Sequence, residues 1–457
     1  MPVHAIEMRY RTKEMYALFE ESYKLQKWLD VEVALMKAHS ELGTIPDKAY
    51  DEAKEKGNLE FVKLERMKEI EREIHHDTMA MVKAFAEVCE GEVGNYIHLG
   101  ATSYDIVDTA WALILKDAIS LIRKRLKNLT KILIDKAYEL RKLVCMGRTH
   151  GQHAIPTTYG MKFANWADEM HRHLFRTLVL LKIDVVGKFG GAVGTFASYG
   201  NDGLTIQEIV MKELGLKSND ISTQIVHRDR HAEIIFLNGL IATTISKIAK
   251  EIRDLQRNEV GEMFEPFAKK QVGSSTMASK RNPHKSERLC GVARILRSHI
   301  TPMLEYNATV EHERDLTNSS VERMILPESF ILLDFMLVQL TSIVKDIEIN
   351  KKNIEKNLNL TKGAIMSEYL MMVMVERGYN RQEAHEFLRE VAILARKKEV
   401  SYKIAIISHQ NNTNQKVFDQ KELDKLLEPK QYVGMAIELV EKIKNDIECN
   451  DLMFDEL

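Results

Sequence analysis

The sequence predicts an all-α protein organised around a long helical bundle, and three observations carry that prediction. Only eight prolines occur in 457 residues, at positions 2, 46, 156, 266, 283, 302, 327 and 429, so intervals of about a hundred residues contain nothing that forces a helix to break. Ile234, Leu237, Ile241, Ile245, Ile248, Ile252 and Leu255 recur at steps of three and four, which places one apolar stripe along about 35 Å of helix. A second stripe, Leu333, Met336, Leu340, Ile343 and Ile347, repeats the spacing after Pro327, so two long helices can bury their faces against each other.

The elements follow in chain order. Residues 1–100 read as a smaller N-terminal helical domain, because its helical segments break near Gly43 to Pro46 and at Gly57-Asn58. The central bundle spans 101–350. Its first helix has a start signal, with Thr102 as N-cap and Asp105 three positions on, followed by Val107, Trp111, Ile114, Ala118 and Leu121. Met161 to Asp184 forms the next helix, entered after Pro156. Val186 to Gly203 does not read as helix, since Gly187, Gly190, Gly191, Gly194, Gly200 and Gly203 crowd into it. Those glycines lack the order of a dinucleotide fingerprint and no βαβ rhythm surrounds them. The Ile234 helix carries Lys247, Lys250, Glu251, Arg253 and Asp254 on its other face, a partly solvated or interfacial pattern rather than a membrane one. Another long helix opens near Pro327. Residues 351–457 return to shorter helices with polar joints such as Gln410 to Asn414, a small C-terminal helical domain.

Composition narrows the function. Hydrophobic residues make up 45% and charged residues 29%, the balance of an ordinary globular chain too long for one core. The 65 basic side chains are offset by 67 acidic ones, which gives no nucleic-acid surface. No uninterrupted apolar run of 18 residues and no apolar leader occurs, so the expectation is a cytoplasmic protein without a membrane partner. Cys89, Cys145, Cys290 and Cys449 are scattered and read as reduced, buried small hydrophobes.

The polar motifs concentrate at junctions. Gln271 to Glu287 contains Gly273, Ser274 and Ser275, suited to a mobile loop whose amides and hydroxyls surround an anion, with Lys280 and Arg281 adding charge. Asn282-Pro283 reads as an N-cap and first helical position, aiming the positive end of a helix at that loop. A solvated turn with incidental basic residues fits the same composition. Histidines form a second group: His75-His76-Asp77, His98 before Gly100 to Ser103, and Arg148-Thr149-His150-Gly151-Gln152-His153. No zinc-binding spacing accompanies them, so no metal is expected. Arg9-Tyr10, Arg314 and Arg323 with Ser319-Ser320 are candidate anion forks.

The run Gly273-Ser-Ser-Thr-Met-Ala-Ser-Lys-Arg-Asn-Pro283 closely resembles the signature loop of the fumarase/aspartase superfamily. Within it the chain most resembles the adenylosuccinate lyase family, on Arg9-Tyr10, His76-Asp77, His98 to Asp108, Gly147 to Gly151, Ser222 to His231 and Glu313 to Arg323. That resemblance implies three helical domains, a homotetramer with a core of about twenty helices, and active sites composed from three subunits. It implies elimination of fumarate from adenylosuccinate and from the succinylated aminoimidazole carboxamide ribotide, small-molecule nucleotides, without a cofactor.

The resemblance also implies roles. Ser274 is the general base for the succinyl Cβ proton and His150 the general acid for the leaving nitrogen, with Glu287 orienting His150. Lys280, Ser275, Asn282 and the loop amides surround the charge that develops, Arg281 binds substrate, and His76 assists substrate orientation or proton placement beside His75 and Asp77. Arg9, Tyr10, Arg314, Ser319 and Arg323 hold the nucleotide phosphate, Thr102, Ser103 and Gln224 the succinyl or base region, and His98 shapes the site. Three positions depart from the family pattern: Ala278 stands where the signature has proline, Ser279 where histidine or an aromatic is frequent, and Tyr104 where a small residue is usual. Argininosuccinate lyases and carboxymuconate cycloisomerases share the superfamily but have less reason to keep Arg9-Tyr10.

Overall fold

The structure, a computed structural model, describes residues 4–268 and 270–455. The chain divides into two compact units: Met1–Lys127, Arg172–Ser246 and Leu289–Gln339 form the first, and Asn128–His171, Lys247–Arg288 and Leu340–Leu457 the second. Helices dominate both. The longest are Ser103–Glu139, Tyr159–Ile183, Asp229–Gln256 and Thr317–Lys345. The stripe from Ile234 to Leu255 is buried throughout, as are Leu333, Met336, Leu340 and Ile343. By length and composition the helices Asp229–Gln256 and Thr317–Lys345 could cross a bilayer, but 67% and 56% of their most apolar windows are buried inside the protein.

In the first unit, helix Glu21–Glu41 supplies Leu25, Trp28, Leu29, Leu35 and Met36 to a core completed by Met81, Phe85, Ile106, Phe189 and Val210. The start of helix Ser103–Glu139 matches its expected signal: the Asp105 carboxylate accepts the Thr102 amide at 2.9 Å. The same carboxylate accepts the amide of Gly190 at 3.0 Å and of Gly191 at 3.2 Å, and lies 2.8 Å from the Lys188 ammonium. The glycine-rich segment is thereby folded onto the helix start. At Gly194, with φ +82°, an added Cβ would collide with the Ser222 carbonyl. The chain entry is tied down as well: Thr12 caps the short helix Lys13–Ala17 through the Met15 amide, and its hydroxyl donates to the buried Asp334 at 2.5 Å.

Two differences from the sequence reading arise here. The last long helix begins at Thr317 rather than near Pro327 and runs through that proline, because the Asp315 carboxylate accepts the Thr317 amide at 2.6 Å and nucleates the helix ten residues earlier. Cys449 is exposed and Cys89 half-buried, whereas Cys145 and Cys290 are buried; all four are free thiols.

The second unit contains a hairpin that helical periodicity does not reveal. Strands Val144–Thr149 and Gln152–Thr158 pair antiparallel, with Thr149 opposite Gln152 and a bulge between Met146 and Arg148. The buried Glu262 anchors it, accepting Arg148 Nη2 and Tyr159 Oη at 2.5 and 2.8 Å and Asn357 Nδ2 at 2.7 Å. A separate helical core surrounds Leu370, Met374, Phe387, Leu388, Tyr402, Ile406 and Leu423.

Candidate active site

The site residues fall into two sets, one in each unit. In the first unit, helix Leu64–Ile74 ends on His75, whose φ of 54° is left-handed, and helix Asp77–Val88 starts at once. His76 is its N-cap, its Nδ1 accepting the Met79 amide at 3.2 Å. A non-glycine residue at positive φ is uncommon and strained, and here it reverses the chain within one peptide so that consecutive side chains reach one cavity. Asp77 meets Arg323 Nη2 at 2.6 Å. Burial pushes the Asp77 carboxyl up, but Arg323 and the Thr78 amide outweigh it and hold the group below its ordinary range.

That cavity has a volume of about 470 Å³ and is lined by His75, His76, Asp77, Ser103, Arg314, Ser319 and Arg323, all anticipated from the sequence. The size suits a nucleotide-scale ligand. Ser319 and Arg323 sit one turn apart on the first turns of the helix from Thr317. Lys24, Trp28, Trp111 and Glu322 also line the cavity and were not foreseen. Trp111 had a legible signal, because Ser103, Val107 and Trp111 follow at steps of four on one helix face. Lys24 had none, being remote in sequence; burial lowers its pKa.

Beneath the cavity lies a buried ionic network. Arg228 donates to both Asp108 oxygens at 2.7 and 2.8 Å, and its Nε lies 2.7 Å from Glu322 Oε1. Glu322 also meets His231, Tyr306 and Asn318, each at 3.2 Å. Burial raises its carboxyl pKa, but the Arg228 guanidinium and these donors more than offset that and hold it at about 2. This network fixes the floor on which Arg314 and Ser319 stand.

Other predicted residues of this unit do not line the cavity. Gln224 accepts Arg314 Nη1 at 2.8 Å and so reaches the site through that arginine. Thr102 adjoins Ser103 as the helix cap. His98, at φ 66°, is held by the buried Glu32. Arg9 is exposed, and the Tyr10 ring packs on Phe335 with centroids 5.5 Å apart.

In the second unit, His150 and Gly151 form the two-residue hairpin turn, with φ of 54° and 72°. Two positive φ values are what a type I′ turn needs to match strand twist, and they leave the imidazole exposed at the tip. Glu287 is exposed on the first turn of helix His284–Ser298, and among the described residues no hydrogen bond joins it to His150. The signature segment is a loop between strand Met263–Phe264 and that helix. Asn282 Nδ2 donates to the Gly273 carbonyl at 2.9 Å and closes the loop on itself. Gly273 must be glycine, because a Cβ there would meet the Lys280 carbonyl. Ser274 Oγ accepts the amides of Thr276 and Met277 at 3.2 and 3.1 Å. Ser275 is exposed; Lys280, Arg281 and Asn282 line a second cavity of about 620 Å³ with Arg253 and Arg257. Arg281 is drawn aside by Glu348 at 2.7 Å and packs over Phe267.

The expected helix dipole needs correction. The helix begins at His284 and its first carbonyl acceptor is that of Pro283, so Asn282 lies one residue before the cap position, with its Nδ2 on the Gly273 carbonyl. The Lys285 and Ser286 amides are taken by the buried Glu265 carboxylate. A carboxylate at that position neutralises the positive helix end, so cationic character comes from Lys280 and the neighbouring arginines. Among the described residues no group of His, Cys, Asp or Glu is arranged to hold a metal.

A long-helix protein with a glycine-serine loop and a histidine-lined cationic cavity is the form of the lyase class, and residues 7–296 match the family described as Lyase. Residues 363–443 match the family described as adenylosuccinate lyase C-terminus. The chain is 51% identical over 448 residues to the adenylosuccinate lyase of Pyrococcus abyssi, covering 98% of each, and 48% identical over 444 residues to that of Methanocaldococcus jannaschii, covering 97% and 96%. The fold is similar to that of a fumarate lyase from Mesorhizobium sp. BNC1, with TM-score 0.87 and 28% identity over 97% of this chain and 99% of that one. It is equally similar, with TM-score 0.87 and 30% identity over 96% and 98%, to the 3-carboxy-cis,cis-muconate lactonizing enzyme of Pseudomonas putida. The chain belongs to the adenylosuccinate lyase family.

Proposed function

We propose that the protein is a carbon-nitrogen lyase that releases fumarate from adenylosuccinate, leaving AMP, and from the succinylated aminoimidazole carboxamide ribotide, leaving the free carboxamide. Family membership over nearly the whole chain supports the reaction. The observation that carries the substrate reading is the cavity where Arg314, Arg323, Ser319 and two adjacent histidines meet, a set suited to an anionic nucleotide.

In the mechanism we propose, Ser274 Oγ takes the proton from the succinyl Cβ, electrons move to form the carbon-carbon double bond, the carbon-nitrogen bond breaks, and His150 protonates the departing nitrogen. A serine is a poor base unless its oxyanion is stabilised; the two amides directed at Ser274 Oγ supply part of that stabilisation, and Lys280 adds charge. Negative charge also builds on the carboxylate next to the carbanion, where Ser275 and Asn282 would donate. His75 and His76 orient the substrate, Asp77 holds Arg323, and Glu287 serves the His150 ring. Arg9, Tyr10, Arg314, Ser319 and Arg323 bind the phosphate end, while Thr102, Ser103 and Gln224 serve the succinyl and base end, with His98 beside them.

The assembly in this reading is a cytoplasmic homotetramer in which three subunits supply each active site and segments 101–350 build the helical core, flanked by 1–100 and 351–457. Exposed apolar side chains on the long helices, including Phe175, Phe236 and Val338, are consistent with such packing. Purified protein incubated with each succinyl nucleotide should release fumarate. Failure on both, with turnover of a carboxymuconate instead, would overturn the assignment.

A further inference from the structure

Arg314 differs from the other arginine at the cavity in how it is held. Arg323 is paired with Asp77, so a carboxylate already offsets its charge. Among the described residues Arg314 has no carboxylate within ion-pair distance. Its guanidinium carbon lies 3.7 Å from the centroid of the Tyr104 ring, and its Nη1 donates to Gln224 Oε1 at 2.8 Å. Its Nε is buried without a hydrogen-bond partner.

The ring beneath it is itself fixed. Tyr104 is 7% exposed, sits in the first turn of helix Ser103–Glu139, and its hydroxyl accepts Asn318 Nδ2 at 3.4 Å. Asn318 belongs to the buried network around Glu322. The chain of support therefore runs from a fully buried ionic cluster, through Asn318 and Tyr104, to the Arg314 plane.

We propose that Tyr104 is a positioning residue that presents Arg314 to the substrate as an unneutralised, orientationally fixed guanidinium. Stacking on an aromatic face holds a guanidinium plane without consuming its charge or its N–H groups. With Nη1 committed to Gln224 and Nε buried, Nη2 is the donor left to meet an oxygen of the anion. The ligand chemistry is an oxyanion of the substrate, either its phosphate or a carboxylate of its succinyl group. A small residue at 104 would leave Arg314 with the Gln224 contact alone, free to rotate about it.

The inference rests on the substrate reading above, and kinetics of a variant set separate the two. Tyr104→Phe keeps the ring and should keep KM within about twofold. Tyr104→Met keeps the bulk without the aromatic face and should raise KM about tenfold while kcat changes little. In an Arg314→Ala background the methionine substitution should add nothing. Product inhibition identifies the end gripped: weaker AMP inhibition assigns the phosphate, weaker fumarate inhibition a carboxylate, and no change in either refutes the positioning role. A KM unaffected by Tyr104→Met, or the same increment with and without Arg314, overturns the proposal alone. An Arg314→Ala enzyme with normal KM overturns the substrate reading as well. Should Tyr104→Met fail to fold, pentafluorophenylalanine at 104 preserves shape and removes the negative face, and a normal KM there refutes the proposal.

Discussion

His98 Nδ1 lies 2.7 Å from Glu32 Oε1, and the other Glu32 oxygen accepts the His98 backbone amide at 3.1 Å. One buried carboxylate thus fixes both the ring and the left-handed backbone of that histidine. Burial lowers the His98 pKa, but Glu32 raises it by more, and the net direction is upward. The imidazolium therefore persists to higher pH than in a free side chain, and its stabilising contribution is complete below the unfolded value near 6.5 and fades as pH rises through the folded one.

Glu32→Gln should move that titration down. KM for a succinyl nucleotide is expected to climb at lower pH in the variant than in the parent, while kcat at acidic pH stays close. Superimposable KM profiles would rule out a charged His98 at the substrate.

Ser274→Ala removes the proposed proton acceptor without touching the cationic residues. Turnover should drop by about 10²- to 10⁴-fold, with substrate binding by calorimetry little altered. Near-normal turnover would strike Ser274 from the mechanism.

Arg9→Ala should act on affinity instead. A lost charged hydrogen bond corresponds to about a tenfold to hundredfold rise in KM, with kcat changed far less. A variant that expresses normally and binds as tightly as the parent contradicts the phosphate role.

Asp184 tests the electrostatics of the first unit away from the cavity. Burial and the nearby Glu233 carboxylate push its pKa up to about 7, and one of its oxygens is buried without a partner. The folded chain holds this proton more tightly than the unfolded one, so stability declines as pH rises from about 4 to 7. Asp184→Asn should unfold a few degrees higher than the parent at pH 8, and the gap should close toward pH 4. Equal melting temperatures at pH 8 would be incompatible with this.

Gly194→Ala should destabilise by about 1–3 kcal/mol, the range for a strained backbone site, measured as a lower urea midpoint. An unchanged midpoint would show that the Ser222 carbonyl yields freely.

Much of this arrangement was legible because periodicity reports burial directly. The Ile234 to Leu255 stripe and the Thr102–Asp105 cap each declare themselves within a few turns of chain. The hairpin at Val144 to Thr158 was not legible: Gly147 and Pro156 interrupt both strands, and the turn is His-Gly rather than a habitual Asn-Gly. The Thr317 start was hidden because Pro327 suggested a beginning where the helix merely continues. Cavity residues named from motifs, such as His75, His76, Arg314 and Arg323, do converge. Glu32, Lys24 and the Tyr104 stack stayed invisible because each acts on a residue far away in sequence or across the fold. The dipole at His284 was misjudged for the same reason, since its neutralising partner Glu265 precedes it by a whole loop.

The left-handed turn at His150 and Gly151 carries a consequence for how this reach can vary. Because two residues span the strands, their ladder dictates the ring's height and heading, much as a rigid stem dictates where its tip points. Adding one residue there would turn the two-residue loop into a three-residue one and change the heading of the ring, so tolerance of insertions at this point should be low although both turn residues are exposed.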